Sequence, residues 1–506
     1  MPVGRRRDAA FTLALLGVAG GVTGMVLVVA WVCDDAFITF RYVANVLAGH
    51  GAVFNLGERV QGYTHPLWFL VLCVGTSIGR NPMLVALGLG AVLTLLTVMQ
   101  LGAALRGIGL QRASALLATS LAGVVLASSH GWRTFQTGGL ENALAHALLV
   151  AILATVFTQP PRLPRIAILS ALLVMTRLDF ALLVAPLAMT MRPRTGRAVR
   201  DALLGVSPLL LWLVCSWLYY GDPLPNTAHA KLGVYPSWRA AVAQGWTYVV
   251  DWLAYEPAAV ILAGLLYVAG VCIVRDAAPR ACAAGVALYV AYVIGVGGDF
   301  MRARLLLPAF VGGTVFGILA LARRVRSPLP WLVLIALAGA IVVGGNRIAA
   351  PPSAEILANG IVDEWRFYPG FHLDAYRRRG RLTYPFMNEE LAAALQRYAA
   401  RCGGVTVHTR NPATLGYLAG PDVEIIDTLG LTDRFIAALP TSYVVSPHPR
   451  PGHADKRIPL SYLARRGDIA IIRGWRAAVL QLDCAFRTRP QRYVDSTELY
   501  TGTLLP

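Results

Sequence analysis

Apolar stretches recur along the chain from the N-terminus to about residue 346, separated by short polar loops, and then stop. They lie at 11–33, 66–79, 82–105, 113–129, 140–158, 166–191, 201–219, 257–274, 281–297, 304–322 and 329–346. A helix rises about 1.5 Å per residue, so about 20 apolar residues cross a bilayer core. Most of these stretches therefore predict membrane helices. Two differ. The stretch 66–79 is too short for a comfortable crossing and reads as re-entrant or interfacial, while 166–191 is interrupted by Arg177 and Asp179 and reads as a hairpin of two short helices. The first, FTLALLGVAGGVTGMVLVVAWVC after MPVGRRR, is too long for a signal peptide and no small-residue cleavage site follows it, so it reads as a permanent span. The fold class expected is mainly α, a polytopic bundle of about 11 spans over residues 1–346 with the N-terminus inside.

Beyond residue 346 the pattern changes to short β-rich runs (VTVHT, VEIID, SYVV, DIAIIR) alternating with the helical pieces EELAAALQRYAARC and LTDRFIAAL. Residues 347–506 are expected to form a C-terminal α/β domain, with too few glycine-rich turns for a nucleotide site.

Composition supports the membrane reading: 56% of residues are hydrophobic and 14% charged, against about 25% charged in an ordinary soluble chain. The net charge of +18 would suggest nucleic acid in a soluble protein. Here the arginines fall in short loops between apolar stretches, which is topology control by positive charge on the inner side, and no nucleic-acid partner is implied. If 66–79 does not cross and Arg177–Asp179 sits at an outer hairpin tip, every basic loop lies inside: Arg106 and Arg112; Arg162 and Arg165; Arg192 to Arg200; Arg275 and Arg280; Arg323 to Arg326. The competing layout, with both segments crossing once, sends the 106–112 and 162–165 loops outside. Both layouts put the segment after 346 outside.

The unusual polar sequence collects in the outer loops. Asp34 and Asp35 follow the first span, and adjacent carboxylates at a membrane surface suit general-base chemistry, although one of them could simply cap the helix that follows. Arg41, Lys231, Arg302 and Arg304 are candidates for holding a phosphate, with interfacial anchoring as the bland alternative. Asn45, Asn55, Glu58, Glu141, Asn142, Arg177, Asp179, Asn226 and Asp299 are candidates for sugar contacts, helix capping competing at Glu141 and Asn142. His65 and His229 are isolated, the cysteines lack metal-ligand spacing, and no metal site is assigned. Cys402 and Cys484 stand together in the C-terminal region and could pair in an oxidising compartment.

The frame DDAFITFRYVANVLAGHGAVFNLGERV followed by YTHPLW closely resembles the first outer loop of the mycobacterial terminal arabinofuranosyltransferases and of the wider GT-C superfamily of membrane glycosyltransferases. Weaker likenesses follow at TGGLEN, TRLDF and GDFMRARLLLP. The resemblance implies a multi-span GT-C fold in the cytoplasmic membrane. The donor would be a polyprenyl-phosphate sugar such as decaprenyl-phosphate arabinofuranose. The acceptor would be a cell-wall polysaccharide of the arabinogalactan or lipoarabinomannan kind, outside the membrane. The essential acids carry over by position to Asp34 and Asp35. No cofactor is firmly implied, and the sequence gives a divalent metal no support. Two other readings stand beside this one: a transporter or flippase for lipid-linked sugar, and a GT-C enzyme using another sugar, such as mannose, on a protein or glycan.

Overall fold

Each apolar stretch of the sequence becomes helix in the computed structural model, which describes residues 3–158, 163–191, 195–231, 234–382, 388–446, 449–465 and 469–470. The membrane part runs α1 (Val3–Val28), α2 (Ala36–Leu47), α3 (Pro66–Gly79), α4 (Pro82–Gly107), α5 (Arg112–Ser128), α6 (His130–Phe135), α7 (Asn142–Thr158) and α8 (Leu163–Thr176). It continues through α9 (Ala181–Thr190), α10 (Gly196–Tyr220), α11 (Asn226–Lys231), α12 (Trp238–Tyr255), α13 (Pro257–Ile273), α14 (Ala277–Gly295), α15 (Leu307–Ala322) and α16 (Pro328–Ile348). Among the described residues six helices are long and apolar enough to cross a membrane, or up to seven if the bent pair α12–α13 is one span. Several of the stretches counted in the sequence are thus shorter than a full crossing. The 166–191 stretch breaks at Arg177, whose backbone is extended, because a charged pair there cannot continue an apolar helix.

Basic loops meet at one end of the bundle. Arg112 pairs with Asp8 at 2.5 Å and Arg323 with Asp276 at 2.5 Å, while Arg326 donates to the Ile108 carbonyl at 3.0 Å. Ser114 returns a bond to the Arg326 carbonyl at 2.8 Å. The start of α1 and the 106–112, 274–280 and 323–326 loops therefore share one face, the arrangement expected if positive charge fixes the inner side.

Helix α15 occupies the centre of the bundle, buried all round. It reaches α13 through small residues: a Cβ on Gly317 would stand 2.2 Å from the Leu266 carbonyl oxygen. Close backbone approach of this kind maximises van der Waals contact where lipid offers no hydrophobic drive. Helix α12, which the sequence pattern did not reveal, bends 109° from α13 and exposes Trp238, Trp246 and Val250 while burying Tyr248, Asp251 and Trp252. An amphipathic helix with exposed tryptophans suits the interface plane, where it props the 297–304 loop.

The C-terminal segment carries α17 (Glu364–Phe367), α18 (Leu373–Arg379), α19 (Asn388–Cys402), β1 (Val405–Thr409), α20 (Pro412–Ala419), β2 (Val423–Asp427) and β3 (Ile469–Ala470). The strands form a parallel sheet in the order β2-β1-β3, with α20 as the crossover and Val407 opposite Ile425. SYVV is not a strand of this sheet: Thr441–Tyr443 is a tight turn and Val444 makes a single bridge to Lys456. The helix expected at LTDRFIAAL is confined to Arg434–Ala438, because Asp433 caps it by accepting from the Ile436 amide at 3.0 Å. Cys402 is disulfide-bonded; Cys484, its expected partner, lies outside the described residues.

The segment is clamped to the first outer loop by side chains expected from sequence to touch ligand. Buried Arg41 on α2 donates to the carbonyls of Phe54 (2.7 Å), Gly416 (2.6 Å) and Val423 (2.8 Å). Asn55 donates to the Ile425 carbonyl and accepts from its amide, both at 2.9 Å. Asn45 caps the Val53 carbonyl at 2.8 Å, and Asn226 donates to the Gly430 carbonyl at 2.8 Å. The donors of these four residues are spent mostly on backbone: Arg41 and Asn55 hold the first outer loop to the sheet, Asn45 holds that loop to α2, and Asn226 ties α11 to the turn at 430–433. Arg41→Met is expected to leave several buried carbonyls without a donor, at about 1–3 kcal/mol each. The measurable result is earlier thermal unfolding in detergent and faster proteolysis within 405–427; an unchanged cleavage pattern would contradict the clamp.

Candidate functional site

Past the end of α1 the chain runs extended and is pinned on two sides. The Val32 amide donates to the Phe371 carbonyl at 3.2 Å and the Cys33 amide to the Gly138 carbonyl at 2.9 Å. This anchorage delivers Asp34 and Asp35 to the start of α2, where Asp35 occupies the cap position without a side-chain cap bond. The capping alternative is therefore not what that side chain does. Asp34 accepts from Thr414 of α20, and its Oδ1 is buried with no hydrogen-bond partner among the described residues.

The facing wall is the 297–304 loop. Gly297 and Gly298 both adopt positive φ, and a Cβ on Gly298 would stand 2.5 Å from the Tyr248 ring, so only glycine makes this turn. Ala303 also has positive φ, at 64°, a strained conformation for a residue with a Cβ. Together these kinks turn Asp299 and Arg304 towards the acids. Arg304, 4% exposed, sits 3.4 Å from Glu141, 3.6 Å from Asp299 and 3.9 Å from Asp35. Its Nε has no partner among the described residues.

Glu141 also pairs with Arg177 at 3.4 Å and lies 3.0 Å from His65 Nδ1, whose Nε2 is 2.8 Å from the Thr39 hydroxyl. Arg177 is forked onto Asp179 at 3.0 and 2.8 Å. Asn142 is buried beside Glu141 with its Oδ1 unpartnered among the described residues. Lys231, at the end of α11, makes no hydrogen bond or ion pair among the described residues and feels the charges of Asp299, Arg177, Arg304 and Asp35.

Two expected phosphate ligands lie elsewhere. Arg302 is bound to Asp251 at 2.7 Å and lies over the Tyr255 ring, and Arg41 belongs to the clamp. Glu58 sits by Asn55, 3.5 Å from its Nδ2. Asn226 and His229 line a cavity of ≈ 530 Å³ with Gln61, Tyr220, Asp222 and Arg434, His229 pairing with Asp222 at 2.9 Å.

Two residues join the cluster that the sequence reading did not single out. Glu364, 5% exposed, lies on α17, and His453 stacks on Phe300 with ring centroids 4.0 Å apart. A signal for Glu364 existed: the Asp363-Glu364 pair after the last span repeats the Asp34-Asp35 pattern after the first. Among the described residues no group of three His, Cys, Asp or Glu side chains is placed to hold a metal ion.

Burial sets the electrostatics. It pushes the Asp34 carboxyl up to about 7, helped by the charge on Asp35 and opposed by the Thr414 hydrogen bonds. Burial raises Asp299 too, against the pull of Arg304 and Lys231. It would also raise Glu141, but Arg304, His65 and Arg177 outweigh it and hold that carboxyl well below the ordinary range. Lys231 is lowered by burial. The cluster thus offers one carboxyl able to take a proton near neutrality and cations able to meet an anion.

A polytopic helical membrane protein with a buried acid–cation cluster at one end is the class that the fold and site define. The chain is a relative of the terminal β-(1→2)-arabinofuranosyltransferases: it is 30% identical over 427 residues to that of Mycobacterium tuberculosis and 30% identical over 328 residues to that of Corynebacterium glutamicum. These alignments cover 72% and 55% of this chain, and 66% and 46% of the relatives, so the chain spans less than two thirds of the length of the curated proteins it matches. A solved structure of ArnT from Cupriavidus metallidurans bound to undecaprenyl phosphate is similar with a TM-score of 0.44 at 17% identity, covering 85% of this chain and 77% of that one. No protein-family model matches the chain.

The two kinds of carboxyl predict opposite pH effects on stability. Glu141 titrates below an ordinary glutamate when folded, so its stabilisation is present above the ordinary glutamate range and is lost as pH falls towards the folded value. Glu141→Gln should cost about 3–5 kcal/mol at neutral pH, because it leaves buried guanidinium groups undercompensated. Asp34 is raised, so its ionisation penalises the fold progressively from the ordinary aspartate range up to about 7. Asp34→Asn should therefore melt higher than the parent above neutrality and alike in acid. Melting curves in detergent across pH check both, and a lower melting point for Asp34→Asn at alkaline pH would contradict the assignment.

Proposed function

We propose that this chain is a membrane glycosyltransferase that moves a sugar, arabinofuranose, from a polyprenyl-phosphate donor to a cell-envelope glycan on the outer face of the cytoplasmic membrane. The observation that carries the reading is the acid pair beside a buried guanidinium: Asp34, a raised carboxyl, adjoins Asp35, which lies 3.9 Å from Arg304, whose Nε has no partner among the described residues, at the end of the bundle away from the basic loops. The names of the two relatives supply the sugar.

The donor's anomeric carbon already carries phosphate as its leaving group, so little acid assistance is needed. Arg304, Arg177 and Lys231 are the cations that would stabilise the departing lipid phosphate. The acceptor hydroxyl must lose a proton, and Asp34, poised near neutrality, is the base of choice, with Asp35 sustaining its raised value. The cavity between α10, α11 and Arg434 is the candidate for holding the acceptor glycan. A flippase reading would call for polar groups near the bilayer midplane, whereas these gather at helix ends.

Purified protein given decaprenyl-phosphate arabinofuranose and an arabinan acceptor should form glycoside, with the rate rising with pH through about 7 as Asp34 ionises. Asp34→Asn should lower the rate by about 10²–10⁴-fold. Asp35→Asn removes a like charge and should move the acid limb of its residual activity to lower pH. Full activity in Asp34→Asn, or transfer from other lipid-phosphate sugars but not from arabinofuranose, would overturn respectively the base and the sugar.

A further inference from the structure

Around the acid pair, carboxyls outnumber cations: Asp34, Asp35, Glu141, Asp179, Asp299 and Glu364 face Arg177, Lys231 and Arg304. Such a cluster cannot be fully ionised and still receive an anionic phosphate, because each unpaired buried charge is costly. Glu141 and Asp179 are held by arginines. The orphaned acceptors are elsewhere: Asp34 Oδ1, Asp299 Oδ2 and Glu364 Oε2 are all buried without a hydrogen-bond partner among the described residues.

Backbone bonds place Glu364 between the two loops that bear the other acids. The Val362 amide donates to the Phe300 carbonyl at 2.9 Å, and the Arg302 amide donates back to the Val362 carbonyl at 3.0 Å. On the other side the Trp365 indole donates to the Val29 carbonyl at 2.9 Å, the Val32 amide to the Phe371 carbonyl at 3.2 Å and the Leu373 amide to the Ala30 carbonyl at 2.8 Å. Asp363 caps the short helix by accepting from the Arg366 amide, so Glu364 is not needed as a cap. The charges that reach its carboxyl are those of Asp35 and Asp34 from the first loop, and of Arg304 and Asp299 from the 297–304 loop.

We propose that Glu364 is the proton-holding member of this carboxyl cluster, staying neutral beside Asp34 and Asp35 so that the site can accept a phosphate anion while an aspartate stays available as base. Glu364 acts through its neighbours and is a positioning residue. Neighbouring carboxyls in a buried site cannot all persist ionised, because their like charges are poorly screened there, so one of them keeps its proton. Burial, with the charges of Asp35 and Asp34, pushes Glu364 well above the ordinary range, in keeping with the neutral form at working pH. The inference rests on the transferase reading only for the use of the held proton, not for its existence.

The test is infrared titration of the full-length protein in detergent, following the carbonyl band of protonated carboxylic acid. The parent should show a band with two parts, one titrating with Asp34 at about 7 and one persisting to higher pH that Glu364→Gln removes. Asp34→Asn or Asp35→Asn, each taking away a neighbouring negative charge, should lower the midpoint of that band by about one pH unit or more. A high-pH part of the band that persists in Glu364→Gln, or a midpoint of that part unmoved in both aspartate variants, overturns the proposal. Transfer assays give a separate readout: the parent's rate should change where the Glu364 band titrates, and Glu364→Gln, which has no proton to release, should lack that change. If the parent transfers no sugar, the functional reading fails while the infrared result still decides the role of Glu364.

Discussion

A guanidinium buried at the mouth of a membrane helix bundle has to be surrounded by carboxylates, and Arg304 is that group. Its partners come from distant parts of the chain: Asp35 from the end of the first span, Glu141 from the start of α7 and Asp299 from the loop after α14. Leaving such a charge without its partners would cost several kcal/mol, so the three segments are obliged to converge. The strained turn at Ala303 and the two glycines before Asp299 are the backbone conditions for that convergence.

The C-terminal segment completes the site from above. Its sheet is locked to the first outer loop through Arg41 and Asn55, and α20 brings Thr414 to Asp34. His453, from the same segment, stacks on Phe300 next to Asp299 of the acid cluster. The hydrophobic core is continuous across the two parts, running from Leu101 and Val150 in the bundle to Val407 and Ile425 in the sheet. Burial of Asp34, and hence its proton affinity, is in this sense a product of the docking rather than of the membrane.

Much of this was legible in the sequence because apolar length and loop charge are strong signals. The break at Arg177 and the strands at VTVHT and VEIID could be read directly from pattern. Helix α12 could not, since an interfacial helix mixes tryptophan with charge and matches no spanning template. The chemistry-bearing residues were partly legible. Asp34, Asp35, Glu141, Arg177, Asp299 and Arg304 do come together, as expected of charges beside membrane ends. Arg41, Asn45, Asn55, Asn226 and Arg302 looked the same in sequence, yet their donors serve backbone carbonyls or Asp251. What separates the two groups is long-range contact, which no spacing along the chain encodes. Glu364 was hidden for the same reason: its neighbours are more than three hundred residues away, apart from Asp299 and Arg304.

The most direct test of the central claim, that the Arg304 cluster receives the lipid phosphate, is an experimental structure of the protein with polyprenyl phosphate bound. The account predicts phosphate oxygens within hydrogen-bond distance of Arg304 Nε, with Lys231 or Arg177 as a second contact and Asp34 within reach of the place where the acceptor hydroxyl attacks. A phosphate seated elsewhere, with Arg304 still engaged only by Glu141, Asp299 and Asp35, would contradict it.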